Sequence, residues 1–304
     1  MNGFFFGTNL DKTTPDDWYK KGTKEYDSKN YSTALVSFSK SAESNHAEAQ
    51  NCIGILYQLG YGVDINYKVA LSWYLKAAKQ EHLNAQFNTG VFYELGYGVD
   101  VDYKVALSWY LKAAEQGHSE AQYSTGVFYN RGYGAYVDYN AALSWYFKAA
   151  KQGHSEAQYS TGVFYNRGYG VYVDYNVALS LYLKAAKQEN LDAQNNIGVL
   201  YHNGDGVDAD YNVALSWYLK AAEKGHLTAK TNFVTLYGLI NGIEQEYNVA
   251  RELFKKATEG EKVGTEPKPE LELTELKREA GEANAGEPQI IPIPSIGIAE
   301  ADLV

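Results

Sequence analysis

The residues best suited to metal or acid–base chemistry here are histidines, and five of the six fall on a grid: His46, His82, His118, His154 and His226. The first four are 36 residues apart, and the fifth lies two such steps further on. Imidazole is the commonest metal ligand and titrates near neutral pH, so such a row could be a zinc site or a proton relay. Its regularity argues against both. Equivalent points in neighbouring helical units lie about 8–10 Å apart, whereas zinc draws its ligands to about 2.1 Å. The five histidines therefore read as turn residues of a repeat, and His202, which is out of phase, reads as an ordinary surface histidine. The Gly-Tyr-Gly motifs beginning at Gly60, Gly96, Gly132 and Gly168 follow expected helix C-termini. That is the wrong dipole end for holding phosphate, and no Lys-Ser/Thr follows them. No catalytic residues, metal ligands or cofactor are expected from these elements.

Aromatic residues give a second possible chemistry. Trp73, Trp109, Trp145 and Trp217 form a ladder that could stack bases or sugars, but their phase places them among the packing positions of a helix, which favours a core role. Tyr61, Tyr97, Tyr133 and Tyr169 lie in loops and are expected to be exposed along one edge, with Asp205 breaking the row.

The elements that must carry these residues follow from the same period. The pair Ala-Gln recurs at Ala49-Gln50, Ala85-Gln86, Ala121-Gln122, Ala157-Gln158 and Ala193-Gln194, with a weaker Ala229-Lys230. A fixed period of this length signals a solenoid, in which one supersecondary unit is copied and buries its apolar face against its neighbours. In the copy at 83–118, Ala85, Thr89, Gly90 and Tyr93 follow a helical period, and Gly96 sits where a helix C-terminus takes a left-handed residue. Asp102 is placed to cap a second helix, as are Asn66, Asp138, Asp174 and Asp210. Thr89, Thr125 and Thr161 read as core positions whose hydroxyls bond their own helix. Of the six prolines, none falls between residues 16 and 262, as stacked helices require. The expected fold is all-α, a right-handed α–α superhelix of about seven helix-turn-helix repeats. Residues 1–15 and 263–304 are expected to be disordered, the latter carrying nine acidic residues against three basic ones.

Composition narrows the partner. The net charge of -10 disfavours nucleic acid and anionic membrane surfaces. No apolar run approaches the roughly 18 residues of a membrane span, the N-terminus lacks a basic signal-peptide region, and the single Cys52 suits a reducing compartment. A cytoplasmic protein is expected.

The string LDAQNNIGVLYHNGDGVDADYNVALSWYLKAAEKGH, residues 191–226, resembles the Sel1-like repeat family, a relative of tetratricopeptide repeats. Copies at 47–82, 83–118, 119–154, 155–190 and 191–226 share its marks, a degenerate sixth runs over 227–262, and residues 16–46 resemble a tetratricopeptide unit. The resemblance implies a protein-interaction scaffold or adaptor, including signalling complexes. An enzyme of the penicillin-binding hydrolase type is an alternative, although that subfamily is stapled by cysteines and this chain is not. A carbohydrate-binding module is another.

The variation between copies carries what the period does not. In tetratricopeptide-like arrays the first helices line a concave groove that takes a peptide or helix. Three positions, counted from the helix glycine, are expected to face it. Phe87, Tyr123, Tyr159 and Asn195 precede it by three; Glu94, Asn130, Asn166 and His202 follow it by four; Arg131 and Arg167 follow it by five. Copies three and four thus share Tyr/Asn/Arg in a chain with only four arginines against 23 lysines. Arginine's planar fork matches a carboxylate, so an acidic or carboxylate-terminated segment is the expected partner. The apolar end of the tail, PQIIPIPSIGIAEADLV, is a second candidate binding element, in cis or in trans.

Overall fold

The structure is a computed structural model that describes residues 13–241. Residues 1–12 of the expected N-terminal tail, the C-terminal tail and the second half of the degenerate copy at 227–262 lie outside the described residues, whereas Thr14 and Pro15, expected to be disordered, cap and open the first helix. Every element described is helical, as expected: thirteen α-helices and no strand among the described residues. They fall in two compact units divided after Gln152. The first holds α1 (Pro15–Asp27), α2 (Tyr31–Ala42), α3 (Ala47–Leu59), α4 (Tyr67–Ala78), α5 (Leu83–Leu95), α6 (Tyr103–Glu115), α7 (Ser119–Arg131) and α8 (Tyr139–Lys151). The second holds α9 (Ser155–Arg167), α10 (Tyr175–Lys187), α11 (Leu191–Asn203), α12 (Tyr211–Ala222) and α13 (Leu227–Asn241). Within each unit, helices pack on the next one in sequence, as in a solenoid.

The two helices of a repeat approach closely because one residue has no side chain. A Cβ on Gly90 would stand 2.6 Å from the ring of Tyr110, and the same holds for Gly54 on Tyr74, Gly126 on Tyr146, Gly162 on Tyr182 and Gly198 on Tyr218. In the first helix pair Gly22 faces Phe38 instead. These tyrosines are at most 3% exposed. The buried aromatic of the second helix is therefore tyrosine, and the tryptophan beside it is only half-buried. Trp109, Trp145 and Trp217 still pack against the buried clusters, so their expected packing role holds at the margin of the core and not at its centre. The Lys76, Lys112 and Lys148 ammonium groups sit 3.6–4.1 Å from the ring centres of Trp73, Trp109 and Trp145, three residues along the same helix.

The recurrent Ala-Gln pair has its own physical cause. Ala49, Ala85, Ala121, Ala157 and Ala193 are fully buried, and each following glutamine is nearly so. In four copies that glutamine accepts a hydrogen bond at 2.8–2.9 Å from a glutamine 30 residues later, at the end of the second helix: Gln80, Gln116, Gln152 and Gln188. In the fifth copy Lys224 holds that place and pairs with Glu189, and Gln194 Oε1 is left buried without a partner. The expected caps form too, with Asn66, Asp102, Asp138, Asp174 and Asp210 all accepting backbone amides. So do the threonine bonds, Oγ1 of Thr89, Thr125 and Thr161 donating to carbonyls four residues back at 2.6–2.7 Å.

Loop glycines bring consecutive repeats together. Gly98 has φ +69°, and a Cβ there would stand 2.6 Å from the Lys68 amide nitrogen at the start of α4. The loop therefore presses on the preceding repeat, and Tyr97 stacks on Tyr67 at 4.7 Å, as Tyr133 does on Tyr103 at 4.8 Å. Of the loop tyrosines expected to be exposed, only Tyr61 is, at 37%; Tyr97, Tyr133 and Tyr169 are half-buried.

Glycine normally weakens a helix interior by about 1 kcal/mol relative to alanine. Here the sign should reverse: Gly90→Ala must push against a fully buried ring, an overpacking cost of about 1–3 kcal/mol. A lower urea midpoint for Gly90→Ala is the expected result; a raised midpoint would show that the contact is not tight.

Candidate functional site

The gridded histidines are helix caps. Nδ1 of His46, His82, His118, His154 and His226 accepts the backbone amide three residues on, at 3.0–3.3 Å. This bond places the proton on Nε2, which in His46 faces Asp16 at 3.1 Å and in His226 faces Asp192 at 3.0 Å. Copy four ends in Asn190 at the same position, and its Oδ1 makes the same bond to Ala193 at 2.9 Å. The role is thus hydrogen-bond acceptance, which imidazole and carboxamide share. His118→Ala should cost about 1 kcal/mol, and His118→Asn should recover most of it, read from thermal melts; equal losses in the two variants would refute the capping role.

The positions expected to face a groove divide into two sets. Those three before the helix glycine pack between helices. Phe87 stacks on the His118 ring at 4.7 Å, as Tyr19 does on His46 at 4.9 Å. Tyr123 and Tyr159 are half-buried, tilted against Tyr146 and Tyr182 at 5.6 and 5.9 Å. Asn195 is buried at 7% exposure and accepts a bond from Asn232 at 2.9 Å; its amide is already committed within the fold.

The positions four after the glycine reach the hydroxyl of the buried tyrosine, a role that the sequence pattern did not reveal. Tyr74 donates to Gln58 Oε1 at 2.5 Å. Tyr110 donates to the Glu94 carboxylate. Asn130 lies at the Tyr146 hydroxyl, and Tyr218 meets His202 Nδ1 at 3.4 Å. In the second unit Tyr182 departs from this pattern. Asn166 and Asn196 lie near its hydroxyl, yet the hydroxyl is buried without a hydrogen-bond partner of normal geometry. The two residues stand 16 apart in the sequence, but nothing there says that their side chains meet.

The arginines five after the glycine sit beside these pairs. Arg131 is half-buried, 5.9 Å from the Tyr133 ring centre. Burial raises the Glu94 carboxyl above its ordinary value, and the Tyr110 hydroxyl and the Arg131 charge partly oppose that rise. Arg167 is exposed, and its Nη1 donates to the Tyr169 hydroxyl at 3.5 Å. Copies three and four differ from the others in one further respect. Tyr136 and Tyr172 are 96% and 94% exposed, at loop positions where copies one, two and five carry Asp64, Asp100 and Asp208.

A raised Glu94 pKa means that the folded protein binds this proton more tightly than the unfolded one. The contribution of Glu94 to stability must therefore decline as pH rises above the ordinary value of 4.5. Glu94→Gln, which keeps an acceptor for Tyr110, should flatten this part of the pH dependence in urea titrations between about pH 4 and pH 8. An unchanged slope would mean that Glu94 titrates as a solvated carboxylate.

Consecutively paired helices in 36-residue copies, each closed by a glycine–tyrosine contact, define an α-helical repeat protein. The Sel1 repeat matches residues 47–82, 83–118, 119–154, 155–190, 191–226 and 235–261, and the chain belongs to the Sel1 repeat family. A Sel1 repeat protein from Oxalobacter formigenes is similar at 35% identity, with a TM-score of 0.71, over 83% of this chain and 99% of that one. The c5321 protein, a protective antigen of uropathogenic Escherichia coli with an SLR fold, is 30% identical with a TM-score of 0.59. That match covers 81% of this chain and 61% of c5321. No curated protein matches the chain. Among the described residues no helix is long and apolar enough to cross a membrane.

Proposed function

We propose that this protein is a non-catalytic interaction scaffold whose first-helix faces take a peptide or helical segment bearing carboxylates. Sel1 repeat proteins generally act as interaction scaffolds, which supports the class. The carboxylate preference is carried by one observation: Arg131 and Arg167, one in each unit, have no ion-pair partner within salt-bridge distance among the described residues. Each stands beside tyrosine hydroxyls, and aromatic residues with arginine are the usual composition of an interface hot spot. The absence of catalysis is supported by the use of the gridded histidines, whose Nδ1 atoms are engaged in helix capping. Tyr123, Asn130, Tyr159 and Asn166 flank the arginines, Phe87 and Glu94 extend the first-unit face, and Asn195 and His202 extend that of the second. A cytoplasmic setting and a role in signalling complexes belong to the same reading, on the grounds of charge, cysteine content and family resemblance.

The full-length protein should bind acidic members of a peptide array in preference to their amide counterparts. The Arg131→Ala/Arg167→Ala double variant should lose at least about tenfold in affinity, one charge-assisted contact being worth about 1.5 kcal/mol or more, with its helical melting curve unchanged. Undiminished binding in the double variant would remove the arginines from the interface.

A further inference from the structure

We infer that the second unit holds a carboxylate-binding station built from Arg167, Tyr182 and Tyr159, in which a partner's carboxylate takes the place that Glu94 takes in the first unit. This rests on the reading of the first-helix faces as peptide-binding and specifies one point on them.

The argument starts from the buried tyrosine hydroxyl. A buried hydroxyl needs an acceptor for its proton, and an unmet one costs about 1–3 kcal/mol. Two copies of the first unit supply an acceptor from a two-methylene side chain, Gln58 for Tyr74 and Glu94 for Tyr110. Copy three offers the shorter Asn130, which still lies at the Tyr146 hydroxyl, and copy four offers the equivalent Asn166. The Tyr182 hydroxyl, on a fully buried residue, is left without a partner of normal geometry.

The neighbours of that hydroxyl favour an anion. The Arg167 charge acts on both the Tyr182 and the Tyr159 hydroxyls, and the two rings lie 5.9 Å apart. Asn166 and Asn196 lie near the Tyr182 hydroxyl, and their amide N–H groups add further donors. The nearby acid, Asp192, already accepts from His226 Nε2 at 3.0 Å. Arg167, being exposed, offers its guanidinium to a ligand from solvent. For the ligand's second oxygen to reach the hydroxyl, the half-buried Asn166 must rotate away from it. A carboxylate supplies both missing elements, an acceptor for Tyr182 and a negative charge for Arg167. Its source is an acidic residue or the C-terminal carboxylate of a partner peptide.

The protein has four arginines, so the Arg167 Nε–Hε signal can be assigned in the full-length form by comparison with Arg167→Lys. Titration with N-acetylglutamate amide, which mimics an acidic residue, and with N-acetylglycine, which mimics a peptide terminus, should shift that signal with a dissociation constant on the order of 1 mM. Acetamide should not. The stronger of the two acids identifies the source. Asn166→Glu restores an internal acceptor while keeping Arg167, and should weaken the acid at least about tenfold without loss of helix; Tyr182→Phe should weaken it about threefold. Equal shifts with acetamide, or an Asn166→Glu variant that binds the acids as tightly as the parent, would overturn the station. The wider peptide-binding reading is tested separately: array binding that survives in Asn166→Glu but fails in the double arginine variant would retain the groove and reject only the station.

Discussion

The fold depends on one contact repeated along the chain, a helical glycine against the ring of a buried tyrosine. Without a Cβ at Gly54, Gly90, Gly126, Gly162 or Gly198, the second helix of each repeat can lay an entire aromatic side chain on the first helix backbone. This contact fixes the separation of the paired helices. It also carries a polar hydroxyl into the interior, and that hydroxyl must be satisfied. The residue four places after the glycine does so in most copies, and the identity of that residue is where the copies diverge. Packing and polar variation are thus linked through a single side chain.

A second set of polar contacts closes each repeat. Glutamine to glutamine bonds join the start of a first helix to the end of the second, and histidine or asparagine caps start the next first helix. Buried amides and imidazoles are costly unless paired, so these bonds specify register as well as adding stability. The residues that looked most like chemistry, the row of histidines, are the clearest case of a periodic structural role.

Much of this architecture was legible in the sequence. The period, the absence of proline between residues 16 and 262, the Asp and Asn caps and the glycine turns all depend on local backbone rules. Side-chain partners across helices were less legible. Tryptophan and tyrosine are adjacent in the second helix, and both fall on the wide apolar stripe. Which of the two is buried depends on the glycine opposite, a contact 20 residues away in Gly90–Tyr110. Tyr97 and Tyr133 are half-buried for the same reason, since their stacking partners Tyr67 and Tyr103 lie 30 residues earlier.

By itself the sequence determined a succession of paired helices in the Sel1 repeat family and singled out Arg131 and Arg167 as departures from an otherwise lysine-rich pattern. Helix periodicity and capping act over a few residues, so their signals survive in one dimension. Only the tertiary structure decided what surrounds those arginines. It showed Glu94 held on Tyr110 beside Arg131, and a buried Tyr182 hydroxyl without a partner near Arg167. The physical reason is that hydrogen-bond satisfaction depends on distances between helices: Asn130 and Asn166 are the same residue at the same repeat position, yet Asn130 lies at the Tyr146 hydroxyl whereas the Tyr182 hydroxyl is buried without a partner of normal geometry.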